Sequence, residues 1–272
     1  MTGALLDGDA VALKRCRHGP MLYLKRDQYV GRSLDLYGEF SEIESEFLAG
    51  YAPPDGVAID AGANIGAHTV ALARAVGPRG AVIAAEPQRI LFQILCANLA
   101  LNEIRNVHAF HCALGAAVGR TKIPFVDYRQ EDNFGGIAAG AERGEFVRVR
   151  TVDGFSLPKL DLLKIDVEGW EAEVLRGAAE AIKRHRPVLY VEADRKDKVA
   201  GLIELLLSMG YALYLHAPPL YNPRNFRGNA ENAFGGIVSA NLLGIPRDRL
   251  RPVAGLPKIE SVKDVNWFAQ TP

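Results

Sequence analysis

Val57-Ala58-Ile59-Asp60-Ala61-Gly62-Ala63-Asn64-Ile65-Gly66 decides the fold: an apolar run ends on an acid, turns through spaced glycines and opens a helical pattern at about 66–76. Just upstream, Pro53-Pro54-Asp55-Gly56 punctuates the chain as a turn. Downstream the alternation repeats. Ala81–Ala85 reads as a second short buried strand, followed by a helix over about Arg89–Leu101. A third strand spans 107–114. A fourth, 160–165, leads to a helix at about 170–184, and a fifth, 187–192, to one at about 197–208. Tyr211–His216 and 236–243 close the set as a late β-hairpin pair, while β-like pieces near 121–127 and 146–152 flank the glycine-rich stretch 133–144. Strands alternating with helices of this length make βαβ units. The expected fold is therefore α/β, a Rossmann-like, doubly wound, mostly parallel sheet of seven strands. Ligands of such sheets sit beyond the carboxyl ends of the strands.

Ahead of this unit, residues 1–50 read as a mixed extension that caps it, with strand candidates at 21–24 and 29–30 and a helix at about 39–48. Residues 51–272 form the main domain. A chain of 272 residues buries a sizeable core, and 49% apolar with 24% charged residues is ordinary globular usage. Lys plus Arg and Asp plus Glu each number 32, so no overall basic field gathers nucleic acid or an anionic membrane. Cys16, Cys96 and Cys112 show no C-x-x-C spacing and fit a reducing compartment. The opening Met1-Thr2-Gly3-Ala4-Leu5-Leu6-Asp7-Gly8-Asp9 lacks a basic leader region, and no run approaches the roughly 18 apolar residues of a spanning helix. The expected location is the cytoplasm.

The turn after the first strand points to a ligand. Glycines let the backbone turn tightly and admit a ligand where a Cβ would stand, and the helix beyond offers unpaired N–H groups. Glu86, at the end of the second strand, lies twenty residues after Gly66, where an acid accepts both hydroxyls of a ribose. A dinucleotide site wants G-x-G-x-x-G, but position 64 is Asn and the pattern is D-x-G-x-x-x-G. A carboxylate at Asp60 opposes a pyrophosphate and suits an ammonium and a sulfonium. S-adenosylmethionine fits that charge pattern better than NAD.

These residues, with Glu86-Pro87 and Leu163-Lys164-Ile165-Asp166-Val167-Glu168-Gly169-Trp170-Glu171, resemble the FkbM family of methyltransferases over about 37–245. The K-I-D-V-E-G-x-E run is the most specific element, although Trp170 stands where members commonly carry a small residue. The resemblance implies a class I methyltransferase fold. Asp60, Gly62, Asn64 and Gly66 would surround the methionine part of the cofactor, and Glu86 would hold the ribose. Pro87, Ala113 and Leu114 would border the adenine, and Asp166 would face the methionine end or the reacting centre. Tyr37-Gly38-Glu39-Phe40-Ser41-Glu42 resembles the segment that closes over the cofactor, which brings Tyr37, Gly38 and Glu42 to the site. His68, just inside the first helix, touches the cofactor or packs in the core.

Methyl transfer from a sulfonium is an in-line displacement that depends on alignment and proximity. A hydroxyl acceptor also gains from a nearby base of raised pKa. Asp166, Glu168 and Glu192 lie at or just past neighbouring strand ends, so their carboxylates converge in a catalytic cluster. Three readings stand for it: a base, a Mg²⁺ site built from oxygens, or for Glu168 a helix cap. His108 and His111 fall on opposite faces of one strand and make poor co-ligands, and His216 is a further base candidate. The loop 218–232, with Arg224, Asn225, Phe226, Arg227 and Asn229, offers polar and aromatic groups toward the acceptor. The expected activity is O-methylation of a small molecule or carbohydrate, without nucleic-acid or membrane partners and with a homodimer formed through the N-terminal segment. The rival readings are an NAD(P)-linked oxidoreductase and a nucleic-acid methyltransferase.

Overall fold

The computed structural model describes residues 4–250 and 253–264; residues 1–3, 251–252 and 265–272, which include the Met1-Thr2-Gly3 opening and the end of the 51–272 unit, lie outside the described residues. Three antiparallel strands come first, β1 (Leu6–Asp7), β2 (Val11–Cys16) and β3 (Gly19–Leu24), then helices α1 (Val30–Tyr37) and α2 (Glu42–Ala49). The alternating part runs β4 (Val57–Ala61), α3 (Ala67–Val76), β5 (Ala81–Ala85), α4 (Arg89–Leu101), β6 (Val107–Phe110), β7 (Ala113–Leu114), β8 (Gly119–Ile123) and β9 (Glu145–Arg150). It continues through β10 (Leu162–Ile165), α5 (Glu171–Arg176), α6 (Ala179–His185), β11 (Val188–Glu192), α7 (Val199–Ser208), β12 (Tyr211–His216), β13 (Asn241–Pro246) and β14 (Lys258–Ile259).

In the main sheet β6, β5, β4, β10 and β11 are parallel neighbours, and β13, β12 and β14 extend it antiparallel. Chain order reverses on either side of β4, which makes its carboxyl end the switch point where such sheets bind ligands. The central strands read as continuous apolar runs because both faces are covered. Ile59, Ala61, Ile83, Leu163 and Leu189 pack with α5, α6 and α7, whereas Ala58, Val82, Leu162 and Tyr190 pack with α2 and α3. The N-terminal strands lie on α4. There the buried Asn98 side chain accepts from the Leu22 N–H (2.7 Å) and donates to the carbonyls of Leu22 (3.0 Å) and Ile65 (2.8 Å). One amide thus pairs the β3 backbone and steadies the glycine turn.

The structure corrects several element boundaries. Tyr29 caps and Val30 begins helix α1, where a strand was expected, and the helix expected at 39–48 starts at Glu42, because Gly38 (φ 69°) and Ser41 (φ 41°) break the chain between helices. The strand expected over 107–114 splits. Its second half, β7, leaves the main sheet and pairs with β9, which pairs with β8 in a small separate sheet. The helix expected at 170–184 divides at Gly177, where a Cβ would meet the Gly115 carbonyl oxygen at 2.0 Å. The last long strand is Asn241–Pro246, not 236–243, and a two-residue eighth strand, β14, adds to the edge at β12. Among the described residues no helix is long and apolar enough to cross a membrane.

Candidate active site

A cavity of about 390 Å³ opens at the carboxyl ends of β4, β5, β10 and β11. Its floor begins at the glycine turn. Gly62 adopts φ 78°, and a Cβ there would stand 1.7 Å from the Asp166 carbonyl oxygen, so only glycine lets the exits of β4 and β10 lie this close. Asn64 is also left-handed (φ 50°). This turn aims the Asn64 N–H at Glu86 Oε2 (2.8 Å), while the Gln88 N–H donates to Glu86 Oε1 (2.7 Å). Burial pushes the Glu86 carboxyl up to about 7, against those two N–H groups and with a smaller push from Asp60. Each oxygen retains acceptor capacity beyond its one backbone bond. Pro87, Ala113 and Leu114 line the cavity beside it, with Gln88, Ile137 and Ala139.

The other end of the cavity is acidic. Asp60 and Lys164 are register partners on β4 and β10, so their side chains share a face. Lys164 Nζ donates to Asp60 Oδ1 (3.0 Å) and Asp166 Oδ2 (3.3 Å), and Thr69 Oγ1 donates to Asp60 Oδ2 (2.6 Å). Burial alone would lower the Lys164 pKa, but the charges of Asp60 and Asp166 outweigh it and hold the ammonium well above its usual range. Past Asp166, Glu168 (φ 57°) and Gly169 (φ 95°) are consecutive left-handed residues. The bend turns Glu168 toward Arg195, which donates to its Oε2. Burial, then the neighbouring Asp166, raises Glu168 to about 8. Glu192, the last residue of β11, is driven well above the carboxylate range by burial, then by Asp166 and Glu168. One oxygen from each of Asp166, Glu168 and Glu192 lies within 4.8 Å of the others.

Of the expected site residues, Gly62, Asn64, His68, Glu86, Pro87, Ala113, Leu114, Asp166, Glu168 and Glu192 come together around this cavity. Five do not line it. Asp60 is fully buried beneath the floor with Lys164 and Thr69. Gly66 caps α3 against Leu95, where a Cβ would lie 2.6 Å from Leu95 Cδ1. Tyr37 turns to the loop after β12: its hydroxyl donates to the Glu231 carbonyl (2.9 Å) and accepts from the Ala233 N–H (2.8 Å). Gly38 ends α1 against Phe226. Glu42 pairs with His18 (2.9 Å). His216 also stands apart, bonded to Tyr190 and stacked on Phe47.

Arg224, Asn225, Phe226, Arg227 and Asn229 of the loop 218–232 do not line the cavity, and the loop is tied elsewhere. Glu39 accepts from Arg17 Nε (2.7 Å), the Phe226 N–H (2.7 Å) and Asn222 Nδ2 (2.8 Å), and Arg17 donates to the Arg224 carbonyl (2.9 Å). Arg227 reaches the Arg15 carbonyl (3.1 Å), and Asn225 bonds within the loop. Leu220, Val238 and Ser239 are the parts of the connection between β12 and β13 that reach the cavity.

Sequence reasoning missed Glu44, Lys164, Gln88 and Arg195, all of which line the cavity. For Glu44 a signal existed. Ser41-Glu42-Ile43-Glu44 has the spacing of a helix start, and Ser41 Oγ donates to Glu44 Oε2 (2.9 Å), which leaves Glu44 near His68 Nε2 (3.7 Å). Trp170 lines the cavity too, its ring seated against Gly115 and Gly140, which supply the room that a small residue at 170 would otherwise leave.

Comparison with known proteins identifies the family. The sequence profile described as the methyltransferase FkbM domain matches residues 60–213, more than half of the chain. Methyltransferase sdnD of Sordaria araneosa is 28% identical over 216 residues, covering 63% of this chain and 83% of that protein. Methyltransferase 1 of Beauveria bassiana is 29% identical over 190 residues, covering 61% and 76%. The crystal structure of methyltransferase FkbM from Methylobacillus flagellatus superposes with a TM-score of 0.48 at 21% identity; the match covers 70% of this chain but only 44% of that one. The profile match, running from the acid of the first strand through the K-I-D-V-E-G turn, places the chain in the FkbM family of S-adenosylmethionine-dependent methyltransferases.

Proposed function

We propose that the cavity binds S-adenosylmethionine with its ribose on Glu86 and methylates a hydroxyl of a small molecule or carbohydrate at the acidic end. The observation that carries this reading is the position of Glu86: both carboxylate oxygens are fixed by backbone N–H groups, and the side chain faces a cavity whose opposite end is a carboxylate cluster. The volume, about 390 Å³, falls within the range of small-molecule sites. Bound S-adenosylmethionine supplies an electrophilic methyl group on a positively charged sulfur. Glu44, Asp166 and the cluster beyond give its ammonium and sulfonium a negative surround. Asp60 acts at one remove, through Lys164, which holds Asp166 in place.

In-line transfer needs the acceptor oxygen aligned with the donor, and the cluster provides the oxygens that receive the hydroxyl proton as the new C–O bond forms. Ser239 and Arg195, also on the cavity wall, offer polar contacts to a polyhydroxylated acceptor. The test is incubation of the protein with lysate metabolites and a donor carrying an isotopically labelled methyl group. A labelled product stable to acid and base, as a methyl ether is, supports the reading. Label recovered only in amines, or only in nucleic acid, overturns it.

A further inference from the structure

We propose that Asp166, Glu168 and Glu192 hold a divalent cation of the Mg²⁺ and Mn²⁺ class at the acidic end of the cavity, an inference that rests on the methyl-transfer reading of the same cavity. The three come from adjacent parallel strands, Asp166 and Glu168 from the exit of β10 and Glu192 from the last position of β11. Their nearest ligand oxygens all lie within 4.8 Å of one another. Ligands about 2.1 Å from a Mg²⁺ ion stand up to roughly 4.2 Å apart, so small side-chain adjustments close the set around one ion. All three ligands are hard carboxylate oxygens, with no thiolate or imidazole among them, which favours Mg²⁺ or Mn²⁺ over zinc.

A second observation is independent of the clustering. Glu192 Oε2 is sealed from solvent and meets no hydrogen-bond donor, although buried polar atoms nearly always find a partner. The charged groups around Glu192 are mostly of its own sign. Asp60, Asp166, Glu168, Glu192 and Asp194 are five carboxylates sharing two cations, Lys164 and Arg195. Lys164 is shared between Asp60 and Asp166, and Arg195 is bonded to Glu168 and pairs with Asp194 (3.5 Å), so neither is committed to Glu192. The carboxylates outnumber the cations, and a divalent ion would offset most of that excess. Bound protons are the competing way to remove it.

The experiment titrates the full chain with Mn²⁺, followed by electron paramagnetic resonance, and then adds Mg²⁺ as competitor. Binding of S-adenosylhomocysteine is measured separately by calorimetry. The expected result is one saturable Mn²⁺ per chain, displaced by excess Mg²⁺ and weakened about tenfold or more by Glu192→Gln. Should Glu192→Gln fail to fold, Asp166→Asn serves as the second variant, with the same loss of Mn²⁺ expected. No saturable Mn²⁺, or an affinity identical in wild type and variant (an adventitious ion only), overturns the proposal and leaves protons as the neutralising charge. Failure of the wild-type protein to bind S-adenosylhomocysteine would count against the donor reading, and the metal signal reports on the cluster independently of it.

Discussion

At the scale of single residues, the buried charges carry the account. Glu86 has its carboxyl raised to about 7, so it passes from neutral to ionised across the physiological range. An ionised carboxylate accepts more hydrogen bonds than a carboxylic acid, so S-adenosylhomocysteine binding should tighten as pH rises from about 6 to 8. Calorimetric titration at a series of pH values checks this, and Glu86→Gln should flatten the profile. Stability runs the other way. A folded pKa above the unfolded one adds stability below about 4.5 that is lost as pH rises through about 7, so ligand-free protein should unfold more readily at pH 8 than at pH 5.5 as far as Glu86 is concerned. Lys164→Met leaves Asp60, which is fully buried, without a cationic partner and should cost about 3–5 kcal/mol in urea unfolding. Adding Asp60→Asn should recover part of that loss.

At the scale of elements, the glycine turn and the β10 exit form one joint. Gly62→Ala combines a left-handed backbone with a Cβ 1.7 Å from the Asp166 carbonyl oxygen, and should lower stability by about 2 kcal/mol or more while disturbing both ends of the cavity. A fall in melting temperature with weakened S-adenosylhomocysteine binding is the expected outcome; an unchanged melting curve would count against this packing. The joint was legible in the chain because its signals are local. An apolar strand, an acid and spaced glycines occur within ten residues, and Glu86 and Asp166 follow their own strands directly. What was not legible is pairing across distance. Asp60 meets Lys164 through the register of two strands a hundred residues apart, which no local pattern reports. Glu42 and Glu44 look interchangeable in sequence, but two residues of helix turn a side chain to a different side, so one pairs with His18 and the other reaches the cavity.

At the scale of the whole molecule, the N-terminal segment and the connection between β12 and β13 are bound together through Arg17, Tyr37 and Glu39. A polar stretch such as 218–232 has the same composition whether water or another segment satisfies it, which is why its attachment was hidden in the sequence. Tyr37→Phe removes a hydroxyl that both donates to Glu231 and accepts from Ala233. It should loosen that connection by about 1–2 kcal/mol, seen as faster hydrogen exchange at the Ala233 amide with exchange in β4 and β5 unchanged. The βαβ alternation, by contrast, was legible in the sequence, and the observed order of the parallel strands places the cavity at the reversal beside β4. The most direct test of that placement is a crystal structure of the protein with S-adenosylhomocysteine. Both ribose hydroxyls are expected on the Glu86 carboxylate, with the amino-acid end of the ligand toward Asp166. A ligand seated elsewhere, or in this cavity with no contact to Glu86, would contradict it.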